Sequence, residues 1–326
     1  MIRGIVFSKD RAMQLDALLR SIYFHCKDVG SIDIYVLYRT TDAIHTHQYI
    51  ELSKLYPKIR FVFENDFRQD LLSIINPYSS GGNAIRLYWF ISKLGEINFS
   101  PGTFLFRLWR GLIENTLLFF VRIFLTFPAE ERFFFFLVDD NIFTNRFELR
   151  DVLNKFKQRR DLIGFSFRLG ENTTNCYMND CKQELPEFIN IGENMLLFDW
   201  SRADQDFGYP LELSSSIYPI NILLPLLVSI SFQSPNTLEE KMAYHTRNFR
   251  SSHPYLACYR RSVAFCNPIN FVQEEIANRA GVTHFYRTDE LRDRFEQGER
   301  INIDNFNGFI SNACHQEVEL IFENRG

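Results

Sequence analysis

Two adjacent carboxylates and an amide, Asp139, Asp140 and Asn141, follow an unbroken apolar run in the stretch "RFFFFLVDDNIF". Oxygen donors of this kind bind a hard divalent cation, and a bound cation can bridge the phosphates of a nucleotide and neutralise a leaving phosphate. A solvated strand exit, or an aspartate capping a helix that begins near Phe147, would account for the same residues without chemistry. A second group lies near the N-terminus, Ser8-Lys9-Asp10-Arg11, between an apolar strand pattern and a helical one. Backbone N–H groups at a helix start receive phosphate or a base carbonyl. Lys9 and Arg11 suit phosphate, and Asp10 suits a ribose or base donor. The loop has neither a G-x-G-x-x-G run nor the Walker pattern, which argues against dinucleotide and P-loop binding. An ordinary helix capped by Asp10 is the plain alternative. Arg168, in "FSFRLGEN", is a further cation for a phosphate or an acceptor, or else a strand arginine facing solvent.

These groups need elements to hold them. Residues 133–138 read as a strand buried on both faces, because so short an apolar run has no solvent side. Before it, strand patterns at 3–8, 32–40 and 59–66 alternate with helical spacing at 10–26, 45–57 and 83–94. Such alternation predicts an α/β domain with a mostly parallel sheet, in which ligands sit beyond the carboxyl ends of the strands. Polar clusters recur there: Ser8–Arg11, Thr40-Thr41-Asp42, Glu64-Asn65-Asp66 and Asp139–Asn141. Later segments are less regular. Residues 161–172 and 194–204 read as strands with polar exits, and 221–232 as a short helix despite Pro225. Residues 234–249 read as a helix with Thr237 as cap or first-turn residue and Glu240 three positions on, the spacing of a capping box. No linker separates the halves, so one domain is expected, with 1–150 as its nucleotide-binding half and 151–326 as its acceptor-side and C-terminal half.

Composition narrows the classes. The chain has 326 residues, 46% hydrophobic and 23% charged, enough for a substantial core. A formal net charge of −4 gives no global attraction to nucleic acid or anionic lipid, so any phosphate must be met by local groups. The six cysteines lack zinc-ribbon spacing, and the opening "MIRGIVFSKDR" has no secretory apolar region, so reduced thiols and a cytoplasmic location are expected. Residues 103–127 form the one membrane-like segment, but Arg107, Arg110, Glu114 and Arg122 interrupt it. A helix packed on the sheet is the first reading, and a peripheral helix at the inner membrane face the second.

The wording "VFSKDRAMQLDALLRSI", "FLVDDNIF", "GFSFRLGEN" and "FQSPNTLE" resembles bacterial family-2-like glycosyltransferases of the GT-A fold over roughly residues 1–280. The resemblance implies a Rossmann-like sheet flanked by helices in a single domain with an acceptor-side extension. It also implies transfer of a sugar from a nucleotide-sugar donor to a hydroxyl of a glycan, polysaccharide or glycoconjugate, with inversion. Ser8, Lys9, Asp10 and Arg11 would then hold the nucleotide, Asp42 or Asp66 would approach the base or ribose, and Arg168 would contact a phosphate or acceptor. Asp139, Asp140 and Asn141 would occupy the D-x-D position, with Asp140 and Asn141 on Mn²⁺ or Mg²⁺. Asn141 departs from the usual aspartate there, which weakens the expected metal site. An inverting enzyme needs a general base, and "SPNTLEEKM" supplies Glu239 for that role, with Glu240 as the capping-box glutamate and Asp199 and Asp206 as substitutes. The serine run in "ELSSSIY" (212–218) offers little to grip an acceptor. With Asn141 it supports a second reading, a degenerate GT-A domain that binds nucleotide or glycan without transfer. A phosphatase or nucleotidyltransferase ranks lower, since only Asp10 follows the first strand where a nucleophile would stand.

Overall fold

The computed structural model describes residues 2–75, 132–272 and 279–325. The expected helix at 83–94 and the segment 103–127 lie outside the described residues. In chain order the principal elements are β1 (Ile2–Lys9), α1 (Ala12–His25), β2 (Ile32–Arg39), α2 (Ala43–Leu55), β3 (Arg60–Phe63) and α3 (Phe67–Ile75). There follow β4 (Phe133–Val138), β5 (Asn141–Phe143), α4 (Leu149–Gln158), β6 (Leu162–Ser166), β7 (Asn175–Cys176), β8 (Cys181–Lys182) and β9 (Ile189–Gly192). Next come β10 (Met195–Asp199), β11 (Ser216–Pro219), α5 (Ile220–Ser229), α6 (Pro235–His245), β12 (Tyr255–Tyr259), β13 (Ala264–Cys266) and α7 (Thr288–Glu296).

Nine of these strands form one sheet in the order β3-β2-β1-β4-β11-β6-β12-β10-β9. Pairs β3–β2, β2–β1, β1–β4 and β6–β12 are parallel, whereas β11 and β10 are antiparallel to both of their neighbours. Seven strands therefore run one way and two the other. The α/β, mostly parallel, helix-flanked sheet expected for a GT-A arrangement is the one observed.

The phenylalanine run explains why β4 is central. Phe133, Phe135 and Leu137 join the cluster formed by α1, α2, α4 and α7, with Leu18, Leu52, Val152 and Leu291 among its members. Phe134 and Phe136 join the opposite cluster, with Leu71 of α3, Leu227 of α5 and Leu238 of α6. Alternate side chains of a strand point to opposite faces, so an unbroken apolar run is what a strand covered on both faces requires. Among the described residues no helix is long and apolar enough to cross a membrane.

Two helix starts differ from the expectation. Asp10 does not cap α1: the helix begins at Ala12 with Arg11 ahead of it and no side-chain cap. Asp10 instead takes a left-handed backbone (φ 55°) and accepts the Thr41 N–H at 2.8 Å, tying the end of β1 to the end of β2. Aspartate tolerates this conformation better than most residues. In α6 the cap is Ser234, because Pro235 occupies the first helical position, where its fixed φ and missing N–H cost nothing, and Thr237 falls in the first turn, the second of the two places expected for it. Thr237 completes that capping box, which leaves Glu240 out of it and exposed on the helix surface.

Candidate active site at the carboxyl edge of the sheet

Strands β1, β2, β3, β4 and β6 run in one direction, so Lys9, Arg39, Phe63, Val138 and Ser166 all end at the same edge. Strand β11 runs against them, with Ser216 opposite both Phe136 and Ser166. Its beginning, with Glu212 just ahead, therefore meets that edge too.

On the N-terminal side the loop after β1 closes over Asp139. The Asp139 amide donates to the Phe7 carbonyl (3.2 Å), extending the β1–β4 pairing past the strand ends. Its carboxylate accepts three hydrogen bonds, from Ser8 Oγ (2.9 Å), the Lys9 amide (3.2 Å) and Arg11 Nη1 (3.0 Å). Tyr49 of α2 reaches in beneath, its hydroxyl bonded to Ser8 Oγ and accepting the Arg11 amide at 3.2 Å. The Tyr49 ring stacks on Tyr38 with centroids 4.6 Å apart. Burial opposes the charge of Arg11, but Asp139 and Asp140 outweigh it and raise its pKa. The two cations expected to meet phosphate also touch main chain: Arg11 donates to the Asn270 carbonyl and Lys9 Nζ to that of Val272 at 3.0 Å. The Asn270 side chain pairs in turn with the Gln14 amide.

Asp140 and Asn141 turn the chain from β4 into β5, which pairs with β13. Asn141 is fully buried: its Oδ1 accepts the Val138 amide (2.9 Å) and its Nδ2 donates to Cys266 Sγ (2.9 Å). Asparagine here shapes the turn. Burial pushes the Asp140 carboxyl up to about 6, with Arg11, 3.8 Å away, opposing and Asp139 reinforcing the shift. Asp140 Oδ1 is buried without a hydrogen-bond partner. For a resident Mn²⁺ or Mg²⁺ the trio thus presents one uncommitted buried oxygen, since Asp139 is surrounded by donors and the Asn141 oxygen faces a main-chain amide. Among the described residues no group of three His, Cys, Asp or Glu side chains is placed to hold a metal ion. As arranged, these residues do not fit a resident divalent cation.

Arg168 leaves β6 for the interior rather than solvent. Nη2 donates to Glu212 Oε2 (2.7 Å), while Nη1 lies 3.2 Å from Cys266 Sγ and 3.3 Å from His315 Nε2. Burial, then Arg168, pushes the His315 imidazole down to about 3, so it is neutral and accepts from the guanidinium. Glu212 also accepts from the Ser214 amide and the Ser216 hydroxyl, a turn in which Ser215 takes a left-handed backbone (φ 64°). Its main chain is anchored by Tyr218, whose hydroxyl bonds both the Glu212 amide and carbonyl at 2.9 Å. A Cβ on Gly164 would stand 2.8 Å from that Tyr218 ring, so only glycine lets β6 pass it.

Glu239, in the second turn of α6, accepts the Leu213 amide at 3.2 Å. Burial, reinforced by the Glu212 charge, pushes its carboxyl up to about 7, with Arg168 and the Leu213 amide opposing. The edge therefore brings together Ser8, Lys9, Arg11, Asp139 and Asp140 on one side and Arg168 and Glu239 on the other. Asp10 is nearby but faces Thr41. Asp42 and Asp66 stand apart as helix caps: Asp42 accepts the His45 amide and pairs with Arg292, and Asp66 accepts the Gln69 amide. Asp199 caps a short 3₁₀ turn, and Asp206, raised by burial, bonds Gln183. Tyr49, Glu212, Cys266 and His315 were not legible as site residues. Only Glu212 carried a signal, a lone carboxylate ahead of three serines in "ELSSSIY".

No family model matches the chain. Over 236 residues it is 23% identical to the bifunctional glycosyltransferase pgtA of Dictyostelium discoideum, a match that covers 68% of this chain and 24% of that protein. Among solved structures, residues 1–349 of S. aureus TarS in complex with UDP are 13% identical, with a TM-score of 0.38 and coverage of 79% of this chain and 57% of that one. The WbbM bifunctional glycosyltransferase is 9% identical, with a TM-score of 0.29 and coverage of 78% and 45%. The chain thus spans about a quarter of the curated relative it matches. The sequence resemblance to GT-A-type glycosyltransferases accordingly extends to a curated relative that carries the glycosyltransferase name.

Proposed function

We propose that this chain is a glycosyltransferase that moves a sugar from a nucleotide-sugar donor to a hydroxyl acceptor, inverting the anomeric centre, with Glu239 as general base. The observation that carries the reading is the position and state of Glu239. It lies at the carboxyl edge of the sheet, where ligands bind in folds of this kind, across from the Ser8–Arg11 loop, with a carboxyl raised to about 7. A base of that affinity is well matched to a hydroxyl proton at physiological pH. In this reading Glu239 takes the acceptor proton, the acceptor oxygen attacks the anomeric carbon in line, and the nucleoside diphosphate departs on the opposite face. Lys9, Arg11 and the first amides of α1, which no side chain caps, meet the charge that develops on the diphosphate.

A second reading, binding without transfer, is favoured by the carbonyls of Asn270 and Val272, which sit on the two cations meant for phosphate. One experiment separates them. The full chain is incubated with a panel of UDP-, GDP- and dTDP-sugars with simple glycoside acceptors, and nucleoside diphosphate release is followed. Turnover that Glu239→Gln abolishes while donor binding survives supports the transferase. Donor binding without release of diphosphate from any member of the panel supports the binding domain.

A further inference from the structure

Glu239 is bonded by the Leu213 amide, and the turn that carries this amide is organised by Glu212. Glu212 is 5% exposed and carries a full set of partners: Arg168 Nη2 at 2.7 Å, the Ser214 amide and the Ser216 hydroxyl. A buried carboxylate with three donors is ordinarily a structural ion pair. The chain around it points to more. The residue after Glu212, Leu213, presents its amide to Glu239 Oε1, so the turn that Glu212 organises is also what touches Glu239. Tyr218 pins that turn from below through both main-chain atoms of Glu212. Ser215 holds a left-handed backbone inside it, a conformation unfavourable for serine and kept where surroundings over-determine it.

We propose that Glu212 is a positioning residue of the active site, holding Arg168 and the Leu213 amide so that Glu239 is set at the acceptor side of the sheet edge. This rests on the proposed role of Glu239 as base. The Glu212 carboxylate is committed to Arg168, the Ser214 amide and the Ser216 hydroxyl. Its charge and that of Arg168 act on Glu239 in opposite senses, Glu212 favouring protonation and Arg168 disfavouring it. Among the described residues Tyr209 and Tyr218 also face Glu239, and burial raises both phenols, which keeps them neutral at physiological pH. Glu240, further along α6, also lies within electrostatic reach of Tyr209. Burial is the largest cause of the raised Glu239 carboxyl, and the ion pair adjusts it from both sides, while the turn sets where Glu239 stands.

The test reads Glu239 directly in the full chain, labelled with glutamate carrying ¹³C at the carboxyl carbon, the resonance being assigned by its loss in Glu239→Gln. In wild-type protein the resonance titrates near neutrality. In Glu212→Gln the midpoint falls by about one unit or more, a tenfold or greater loss of proton affinity. In Arg168→Gln it rises. Opposite shifts are the decisive signature, because loosening of a merely structural pair would move Glu239 in the same direction in both variants. Should Glu212→Gln fail to fold, Ser216→Ala removes one of its anchors while keeping the charge, and the Glu239 midpoint then shifts by less than in Arg168→Gln. An unmoved midpoint, or shifts of like sign, in folded variants overturns the inference. Opposite shifts without turnover of any sugar nucleotide would leave this positioning intact and remove the transferase reading instead.

Discussion

Asp139 and Glu239 are both carboxylates at the same edge of the same sheet, and they end in different chemical situations. Asp139 is met by a hydroxyl, an amide and a guanidinium, all brought by one loop that folds back from β1. Glu239 accepts one amide, and the charges that reach it oppose each other, Glu212 raising its proton affinity and Arg168 lowering it. Position at a strand end does not make a carboxylate reactive; the number and sign of the groups around it do. The N-terminal side is a closed knot whose partners hold each other in place. The opposite side keeps a carboxylate raised to about 7, the property that suits the base proposed for it.

The contrast is broken most strongly at Glu239. Glu239→Gln keeps shape and burial but cannot accept a proton, and turnover should fall by about 10²- to 10⁴-fold with donor affinity retained. In wild-type protein kcat/KM should fall as pH drops below about 7, because the base must be deprotonated to act. Stability should show the opposite slope. A carboxyl raised in the folded state contributes stability below its unfolded pKa and loses it as pH rises through about 7, so Glu239→Gln should flatten this part of a stability-against-pH curve. Denaturant unfolding between pH 4 and 8 checks the slope. An identical slope in the variant would mean that Glu239 is solvated.

The knot side predicts a loss of stability instead. Arg11→Met removes the cation beside Asp139 and Asp140 and leaves two buried carboxylates facing each other. Breaking one partner of a buried pair typically costs about 3–5 kcal/mol, and urea unfolding should show a loss of that order. A change under 1 kcal/mol would show that solvent reaches Asp139 and that the knot is open.

What was legible in the sequence follows this division. The strands and helices around Asp139 came from local pattern: an apolar run too short for a helix, alternating elements and polar strand ends. The gathering of Ser8, Lys9, Arg11, Asp139, Asp140 and Arg168 at one edge followed from parallel strands, since such strands end together, whereas Glu239 was singled out by the family resemblance and reaches the edge from α6 through the Leu213 amide. Three features were not legible, for physical reasons. Glu212 acts through β11 running antiparallel, and strand direction is not a property of a short apolar run. Asn141 presented itself as an aspartate lost from a metal site, whereas its amide bonds a main-chain N–H and a thiol, partners fixed only by tertiary packing. Asp10 was assigned as a cap and Glu240 as a capping-box residue by type and spacing, but a left-handed backbone in one case and a start at Ser234-Pro235 in the other set the helix starts differently, with Thr237 in the first turn.

A smaller effect sharpens the knot from within. Tyr49→Phe removes one hydroxyl that bonds Ser8 and accepts the Arg11 amide while leaving the ring stacked on Tyr38. Leaving a buried amide and a buried hydroxyl short of one partner should cost about 1–3 kcal/mol. Thermal unfolding measures it, and the loss should be less than that of Arg11→Met because both charges remain paired. If the two variants are equally destabilised, the phenol and not the ion pair organises the loop.

The smallest expected effect lies outside the edge and tests what separates a cap from a site residue. Asp66 has the residue type and strand-end position that suggested contact with a base or ribose, yet its carboxylate accepts the Gln69 amide at 2.9 Å and the Gln69 side chain at 3.2 Å. These are the bonds of a helix start. Asp66→Ala should therefore cost about 1 kcal/mol of stability, the ordinary value of a lost cap, and Asp66→Ser should restore most of it, because serine caps nearly as well without a charge. A nucleotide contact would respond differently: serine would rescue stability but not affinity for UDP, GDP or dTDP measured by calorimetry. Rescue of the fold by serine with unaltered nucleotide affinity in both variants would confine Asp66 to the helix. A nucleotide affinity lost in both would return it to the donor side and enlarge the knot toward β3.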